Sequence, residues 1–394
     1  MVALLVALAW LVVATSVAAW ASIRARARAR AVRERARSAL VIPTLGVCIV
    51  RPCAGSDPWL RKCLASYPRT RASRPPRIVF AVESPGDDAA PSALAAEDDL
   101  CARGIDASIV WTAARGPNHK AHQLARALER DARLHARVEI VVVADADVDL
   151  TDFDLDALVD PFAEDPRVGA TWAPPVEIER PHTLGDRVSQ AVLGGSLHAF
   201  PLLAELDPAG MVGKLFAVRA SALADAGGFD ALRHHLGEDM ELSRRLRALE
   251  YRVSVAPVIA QSRASGRSVG ATTSRYARWL AVIRAQRTTL LPSYPLLFAF
   301  TPGVLVLAVL GARDAPWLAL GLAGAAIASR VSTAYIAAKL TGRGGSLARA
   351  SLEALLADLV LLAAFVRMLS VRGVRWRGHV LRTDHAGRLA EVER

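Results

Sequence analysis

The pattern of apolar and polar residues divides the chain into a hydrophobic start, a mixed middle and a hydrophobic end. Residues 1–23 carry no charged side chain and are long enough to cross a bilayer core of about 30 Å. Later segments are comparably apolar at 290–310, 317–340 and 352–371. We therefore expect about four membrane spans, one at the amino end and the others near the carboxyl end.

The carboxyl-terminal apolar segments contain charges that lipid disfavours: Arg330, Glu353, Asp358 and Arg367. These side chains are expected to face protein, headgroups or a polar cavity. With four spans the basic tail, residues 372–394, would lie outside the cytoplasm, whereas the positive-inside rule places it inside. Either one segment is re-entrant or interfacial, or the tail departs from the charge rule.

Between the apolar ends, short β-branched runs alternate with amphipathic segments. The run at 138–143 predicts a strand buried on both faces of a parallel sheet. Further strands are predicted at 47–50, 77–82, 109–111, 168–172 and 214–218, and helices near 57–58, from Pro91, around Lys120, at 219–226 and from Glu238. This alternation is typical of the doubly wound α/β sheets that bind nucleotides.

The domain organisation follows from these patterns. We expect an anchor at 1–23, a basic linker at 24–40, a catalytic domain at 41–270, an interfacial helix at 271–289, membrane segments at 290–371 and a basic tail at 372–394. The arginines of the linker follow the apolar core, whereas a secretory signal carries its charge before it. A retained anchor with its far side in the cytoplasm is therefore favoured over a cleaved signal.

Composition narrows the class of protein. The 394 residues are 53% hydrophobic and carry a net charge of +11. No basic helix with interleaved aromatic residues accompanies the charge, so the basic flanks of membrane segments explain it better than a nucleic-acid partner. The four cysteines make no CxxC pair, which favours a reducing, cytosol-facing domain over a zinc site or a disulfide framework.

The strand at 138–143 is followed by Asp145 and Asp147. Carboxylates at the carboxyl end of such a strand face the ligand crevice of an open α/β sheet. Two aspartates at this spacing can hold Mg²⁺ or Mn²⁺ beside the phosphates of a nucleotide. The alternative is an ordinary solvated loop. A calcium loop is disfavoured because Leu150 stands where its turn glycine is needed.

Other polar residues follow neighbouring elements. Glu83, Asp87 and Asp88 come after the strand at 77–82 and could bind uracil or ribose, or could merely cap the helix from Pro91. Asn118 and Lys120 open the next helix, where a helix amino terminus and a lysine suit a phosphate.

A third group lies later in the chain. Glu238 and Asp239 start a helix, and one carboxylate there could act as a general base, although an acidic pair could also only favour the helix dipole. Arg275 and Arg278 share one side of a helix and could meet a diphosphate, while Trp279 could pack at the bilayer interface or under an acceptor. His198 reads as a packed or surface histidine.

The ordered set of the acidic turn, GPNHK, DAD, GEDM and RYARW resembles membrane-bound family 2-type glycosyltransferases, and most closely the ceramide glucosyltransferase family with its D, D, D, (Q/R)xxRW signature. The resemblance covers roughly residues 47–279, and RPCAGSD also resembles the first strand-loop of that family. It assigns the first aspartate to Asp88 or Asp87, the metal site to Asp145 with Asp147, the base to Asp239, and the last motif to Arg275, Arg278 and Trp279.

The resemblance implies a GT-A fold with a mixed, mostly parallel sheet, and an inverting transfer of a sugar, glucose in that family, from a UDP-sugar to a membrane lipid such as ceramide. From the two aspartates we further expect Mg²⁺ or Mn²⁺, and from the basic flank of the first span a catalytic domain on the cytoplasmic side, in a bacterial inner membrane. A hopanoid-type N-acetylglucosaminyl transferase shares the same motifs. A polysaccharide synthase is less favoured because about four spans leave little material for a channel. A scaffold with a decayed transferase domain is opposed by the intact carboxylates.

Overall fold

The computed structural model describes residues 1–38, 45–131, 138–370, 374–376, 379–383 and 388–391. The chain divides into two compact units. The helical unit comprises Met1–Arg28, Arg180–Leu206 and Gly266–Arg372, and the sheet unit comprises Ala29–Glu179, Asp207–Ser265 and Gly373–Arg394. Residues 180–206, inside the domain expected at 41–270, thus group with the helical unit. Eleven of the 23 residues of the basic tail lie outside the described residues.

The regular elements are numbered in chain order. The strands are β1 Val47–Cys53, β2 Arg77–Val82, β3 Ala107–Trp111, β4 Ile140–Ala144, β5 Val148–Asp149, β6 Val168–Trp172, β7 Pro175–Glu177, β8 Leu215–Arg219, β9 Arg252–Val255, β10 Ala260–Ser262, β11 Val374–Trp376, β12 His379–Thr383 and β13 Leu389–Glu391. The helices are α1 Val2–Ser38, α2 Leu60–Leu64, α3 Ala90–Ala102, α4 His119–Arg130, α5 Leu155–Glu164, α6 Leu184–Gly195, α7 Phe200–Leu206, α8 Ala220–Asp225, α9 Glu238–Ala248, α10 Val269–Gln286, α11 Ser293–Phe298, α12 Phe300–Gly311, α13 Pro316–Leu340 and α14 Leu347–Ser370.

The sheet unit is built on a mixed seven-stranded sheet in the order β3-β2-β1-β4-β8-β6-β9. Strand β8 runs antiparallel to both β4 and β6, and the other neighbouring pairs are parallel. The central strands β2 and β4 are buried along their whole length, which is why their sequences are continuous apolar runs rather than alternating ones. The expected mixed, mostly parallel α/β sheet is confirmed.

A second, three-stranded sheet lies in the same unit in the order β5-β10-β7. Strand β10 pairs antiparallel with β5, which sets Ser262 opposite Val148. These strands of two or three residues were not predicted, because they are too short to show a period in the sequence. Their pairing attaches the segment after β10 to the chain that follows β4.

The helical unit contains two helices long and apolar enough to span a membrane, within Val2–Ala31 and at Pro316–Leu340. The helices Thr288–Phe298 and Phe300–Gly311 could form a third, but they are bent by 58° at the break, as in a broken span or a re-entrant loop. Among the described residues two helices meet this criterion, or three if the bent pair is one span, which is fewer than the about four apolar segments expected from the sequence. The helix α14 is not among them because charged residues interrupt its apolar sequence.

Three of the four charges in these segments, Arg330, Glu353 and Asp358, face protein as expected, whereas Arg367 is exposed. The Arg330 guanidinium donates to the Asp358 carboxylate at 2.7 Å and to the carbonyl of Gly195 at 2.8 Å. The Glu353 carboxylate accepts from Arg343 at 2.7 Å and Arg349 at 2.8 Å. Each buried charge thus has an opposite charge within hydrogen-bonding distance, which offsets the cost of removing it from water.

Candidate functional site

The aspartate turn, residues 145–148, leaves the carboxyl end of β4. The Val148 amide donates to the Asp145 carbonyl at 3.0 Å and closes the turn, while the Asp145 amide donates to the Lys214 carbonyl at 2.8 Å. The side chains of Asp145 and Asp147 are 24% and 20% exposed. The strand ends where the sequence predicted, and both carboxylates are within reach of solvent.

Both carboxylates of the aspartate turn converge on the ammonium group of Lys214. The Lys214 Nζ lies 2.5 Å from Asp147 Oδ2 and 3.5 Å from Asp145 Oδ2. The Ser262 hydroxyl donates to the same Asp147 oxygen at 2.9 Å. Lys214 comes to this position because it immediately precedes β8, which pairs antiparallel with β4 and therefore starts where β4 ends.

Lys120 joins the aspartate turn to the start of α9. Its Nζ lies 2.8 Å from Asp145 Oδ1 and 3.1 Å from Glu238 Oε1, and it donates to the Gly213 carbonyl at 2.7 Å. Burial alone would lower the pKa of Lys120, but the negative charges of Asp145, Glu238 and Asp239 outweigh burial and raise it. Lys120 is therefore a permanent positive charge among three carboxylates.

Asn118 fixes the start of α4 against the start of α9. Its side-chain carbonyl accepts from the Ala121 amide at 3.0 Å as the helix N-cap. Its amide group donates to the His235 carbonyl at 2.9 Å and to Glu238 Oε2 at 3.1 Å. All polar atoms of this fully buried side chain are used inside the protein, so its contacts support Glu238 rather than face a ligand.

The two acidic residues at the start of α9 have opposite pKa shifts. Burial alone would raise the pKa of Glu238, but Lys120 and the hydrogen bond from Asn118 outweigh it and lower the pKa. Burial, followed by the negative charge of Glu238, raises the pKa of Asp239 to about 6. Of the two, Asp239 is the carboxylate with a basicity suited to accepting a proton near neutral pH.

Gly213 approaches this cluster so closely that a Cβ atom there would displace the Asp239 carboxylate. Its amide donates to Asp239 Oδ2 at 2.5 Å. A Cβ atom on Gly213 would lie 2.8 Å from that oxygen and 3.1 Å from Lys120 Nζ. The absence of a side chain therefore lets Asp239 and Lys120 reach the same backbone segment.

The acidic residues after β2 are placed differently from one another. Asp87 Oδ1 accepts from the Ala89 amide at 2.8 Å and from the Gly55 amide at 3.3 Å, which ties the loop after β1 to the loop after β2. Asp88 is exposed. The Glu83 carboxylate lies 3.5 Å from His119 Nδ1 at the start of α4. Asp87 thus has a structural use, while Asp88 remains open to solvent at the same edge.

The predicted residues Arg275, Arg278 and Trp279 belong to the helical unit, on α10. The Arg275 guanidinium lies 4.7 Å from the centre of the Trp279 ring, a cation–π distance. Trp279 also packs edge-on against Tyr276, with ring centres 5.2 Å apart. His198, in the same unit, is buried with its ring 4.0 Å from that of Phe298, so the packed histidine expected from the sequence is confirmed.

Sequence analysis missed Lys214 and Ser262. Lys214 was assigned to a strand, and nothing in its local sequence marks it as a partner of the aspartate turn. Ser262 reaches Asp147 through the short strand β10, which had no sequence signal. Only the pairing of β8 and β10 with distant segments could have identified them.

The fold and the cluster define an α/β protein that gathers carboxylates and lysines where strand β4 ends, with apolar helices before and after this sheet in the sequence. A family model described as glycosyl transferase family 21 matches residues 6–389. The chain therefore belongs to glycosyl transferase family 21 and is a glycosyltransferase. The match extends beyond residues 47–279, where the sequence resemblance was seen, and includes the apolar segments.

Solved structures with 20% sequence identity or less are also similar to this chain. A mannosyltransferase from Pyrobaculum calidifontis, in complex with GDP-Man and Mn²⁺, is 20% identical over 90% of this chain and 99% of its own, with a TM-score of 0.42. Glucosyl-3-phosphoglycerate synthase from Mycobacterium tuberculosis, in complex with Mn²⁺, UDP and glucosyl-3-phosphoglycerate, is 18% identical over 60% of this chain and 80% of its own, with a TM-score of 0.35. No curated protein matches the sequence.

Proposed function

We propose that this glycosyltransferase moves a sugar, glucose by its resemblance, from a UDP-sugar to a hydroxyl group of a membrane lipid of the ceramide type, with inversion at the anomeric carbon. The observation that carries the proposal is the cluster in which Lys120 joins Asp145 to Glu238 and Asp239. In this cluster the Lys120 ammonium can stabilise the negative charge of a diphosphate, and the Asp239 carboxylate can accept a proton. The proposed reaction needs both of these functions.

Asp239 is the proposed general base. As the acceptor oxygen attacks the anomeric carbon, Asp239 takes the hydroxyl proton, and the bond from that carbon to the diphosphate oxygen breaks. The UDP leaves with the bonding electron pair, and positive charge at the site stabilises it. Lys120 and Lys214 supply such charge in the sheet unit. Arg275, Arg278 and Trp279 stay predicted site residues through the family motif alone.

The nucleoside end of the donor is assigned to the acidic edge after β2. Asp88 is the proposed contact for uracil or ribose because it is exposed, whereas Asp87 holds the Gly55 loop. Glu83 is the further acidic candidate at this edge. Asn118 is proposed to act on the donor indirectly, by holding Glu238 and the helix that carries Lys120.

The proposal includes a divalent cation at the aspartate turn. Among the residues that the structure describes, no group of three His, Cys, Asp or Glu side chains is arranged to hold a metal. Asp145 and Asp147 nevertheless share one positive charge, the Lys214 ammonium, and their oxygens are the donors that Mg²⁺ and Mn²⁺ prefer. Bound there, the cation would neutralise charge on the leaving diphosphate.

We expect excess EDTA to abolish sugar transfer, and Mg²⁺ or Mn²⁺ to restore it, because two carboxylates beside a diphosphate repel it without a cation. The measurement is the release of UDP with and without the chelator. Full turnover in EDTA would contradict the metal requirement. The Lys214 ammonium would then be the positive charge that neutralises the two aspartates of the turn.

We expect kcat/KM to rise with pH through about 6, because Asp239 must be deprotonated to act as a base and its pKa is raised to about 6. Glu238→Gln removes a negative charge that raises this pKa, so the acidic limb of the profile should move to lower pH. Arg244 and Arg245 pair with Glu241 on the same helix, so Glu241→Gln is the matched control and should leave the limb in place. A shift of the acidic limb to higher pH in Glu238→Gln would contradict the assignment of Asp239 as the base.

Gly213→Ala should lower turnover by about 10- to 100-fold, since its Cβ would displace Asp239 and Lys120 from their present positions. The matched control is Gly321→Ala, where a Cβ would meet no atom within 4 Å. Both variants are assayed for turnover and thermal stability. Equal turnover in the two variants would show that the close approach has no catalytic role.

The lipid acceptor is proposed from the apolar helices and the family. Two helices long enough to span a membrane accompany the sheet unit in one chain, and an acceptor that lies in the same bilayer needs no soluble carrier. Because the basic flank follows the first span, we propose that the sheet unit faces the cytoplasm, in a bacterial inner membrane.

The test is lipid extraction and mass spectrometry of cells that express the full chain, with cells expressing Asp239→Asn as the matched control. A new hexosyl lipid present only with the active chain supports the proposal. If the product were an N-acetylhexosaminyl hopanoid, the proposed sugar and lipid acceptor would both be wrong. If the product were a polysaccharide, the proposed lipid class of acceptor would be wrong. Absence of any product, together with no UDP release from UDP-sugars, would identify a non-catalytic scaffold.

A further inference from the structure

Arg51 is a fully buried arginine on β1, and its side chain lies against the backbone of the aspartate turn. Among the described residues it forms no ion pair with a carboxylate. Burying a guanidinium group costs several kcal/mol, and the hydrogen bonds of its two Nη atoms offset part of this cost, whereas its Nε has no partner among the described residues.

One nitrogen of the Arg51 side chain forms hydrogen bonds with both ends of the aspartate turn. Its Nη2 donates to the Asp145 carbonyl at 3.1 Å and to the Val148 carbonyl at 2.5 Å. These are the first and last residues of the turn that presents both carboxylates. A single planar group therefore contacts both ends of the turn, in addition to the hydrogen bond between the Val148 amide and the Asp145 carbonyl.

The other nitrogen anchors the guanidinium to a neighbouring element. Its Nη1 donates to the Cys63 carbonyl near the end of α2 and, at 3.4 Å, to the Ser66 hydroxyl. The Ser66 oxygen also accepts from the Leu150 amide at 2.8 Å. Arg51 and Ser66 thus hold the chain from residue 145 to residue 150 against α2.

We propose that Arg51 is a positioning residue for the donor site, which it serves by holding the backbone of the aspartate turn so that Asp145 and Asp147 face one cation and the diphosphate. The inference rests on the proposed function of those two aspartates. Lysine cannot replace Arg51 here, because its ammonium is a point charge on a flexible stem and lacks the rigid fork that reaches α2 and both ends of the turn together.

The experiment compares Arg51→Lys with Arg77→Lys in the full chain. Arg77 is a matched control because it is also buried, lies 2.9 Å from the Asp131 carboxylate as an ion pair, and stands at the amino end of β2, away from the turn. The measurements are thermal stability, the Kd of UDP in the presence of Mn²⁺, and hydrogen exchange of the amides from 145 to 150.

We expect both variants to lose stability, and only Arg51→Lys to weaken UDP binding by about tenfold or more and to speed exchange in the turn. Ser66→Ala is the milder variant if Arg51→Lys fails to fold, and it should speed exchange at Leu150 and weaken UDP binding by a smaller factor. Unchanged UDP affinity in whichever of these two variants folds would overturn the inference.

Asp145→Asn separates this inference from the function on which it rests. If Asp145→Asn weakens UDP binding and Arg51→Lys does not, Arg51 is only a structural residue and the proposed donor site stands. If Asp145→Asn leaves UDP affinity unchanged, the donor site itself is wrong, and the positioning role of Arg51 falls with it.

Discussion

Asp239→Asn is expected to lower kcat by about 10²- to 10⁴-fold while the affinity for UDP-sugar stays nearly unchanged. Asparagine keeps the shape of the side chain, and its carbonyl oxygen can still accept from the Gly213 amide, but it cannot take a proton from the acceptor hydroxyl. The measurements are the Kd of the UDP-sugar by titration and kcat at saturating acceptor.

The matched control for Asp239 is Glu241→Gln, which changes another acidic residue of the same first helical turn. Glu241 pairs with Arg244 and Arg245, and these contacts lower its pKa to about 2 although burial alone would raise it. Its loss should reduce stability and spare turnover. If Asp239→Asn weakened donor binding as much as it slowed the reaction, the assignment of the base would be wrong.

Asp145→Asn is expected to weaken UDP binding and to lower kcat/KM by about 10²- to 10³-fold, because it removes a charge at the centre of the cluster. The variant would leave Lys120 without its closest carboxylate, at 2.8 Å, and would halve the negative charge that faces Lys214. A divalent cation would lose one of its two proposed ligands. The affinity for Mn²⁺ should therefore fall together with the affinity for UDP.

Asp149→Asn is the matched control for this second variant. Asp149 lies just beyond the turn, and its carboxylate accepts from Arg263 at 2.6 Å and from the Thr151 hydroxyl at 2.7 Å. The same substitution there should cost stability and leave the affinities for Mn²⁺ and UDP unchanged. Equal losses of affinity in the two variants would mean that the effect reflects folding rather than a donor site.

Much of the sheet could be predicted from local sequence. Strands β2 and β6 have the bounds that their apolar runs predicted, and the helices at Lys120 and Glu238 begin within one residue of their expected starts. β-Branched runs and helix starts are local signals, since each depends on the side chains of a few neighbouring residues. Fewer helices than expected are long and apolar enough to span a membrane, because charged residues interrupt the apolar sequence of α14 and because α11 and α12 are bent at their break.

In the candidate site, too, some features could be predicted from local sequence and others depend on contacts between distant segments. The carboxylates Asp145 and Asp239 could be selected from the sequence because each stands at an element boundary within a recognisable motif. Which acid of the pair at 238–239 is the better candidate for the proposed base could not be derived from spacing. That distinction depends on Lys120 and Asn118, which arrive from another helix, lower the pKa of Glu238 and leave Asp239 the more basic carboxylate.

The sequence by itself thus determined the class of the fold, the position of the aspartates at the end of β4, and the apolar segments. Tertiary structure alone decided that Lys214 faces Asp147, that Arg51 donates to both ends of the turn, and that a Cβ at Gly213 would meet Asp239. The physical reason is the range of the interactions. Hydrophobic periodicity acts over a few residues, whereas these contacts join residues far apart in the chain, and only the pairing of the strands brings them together.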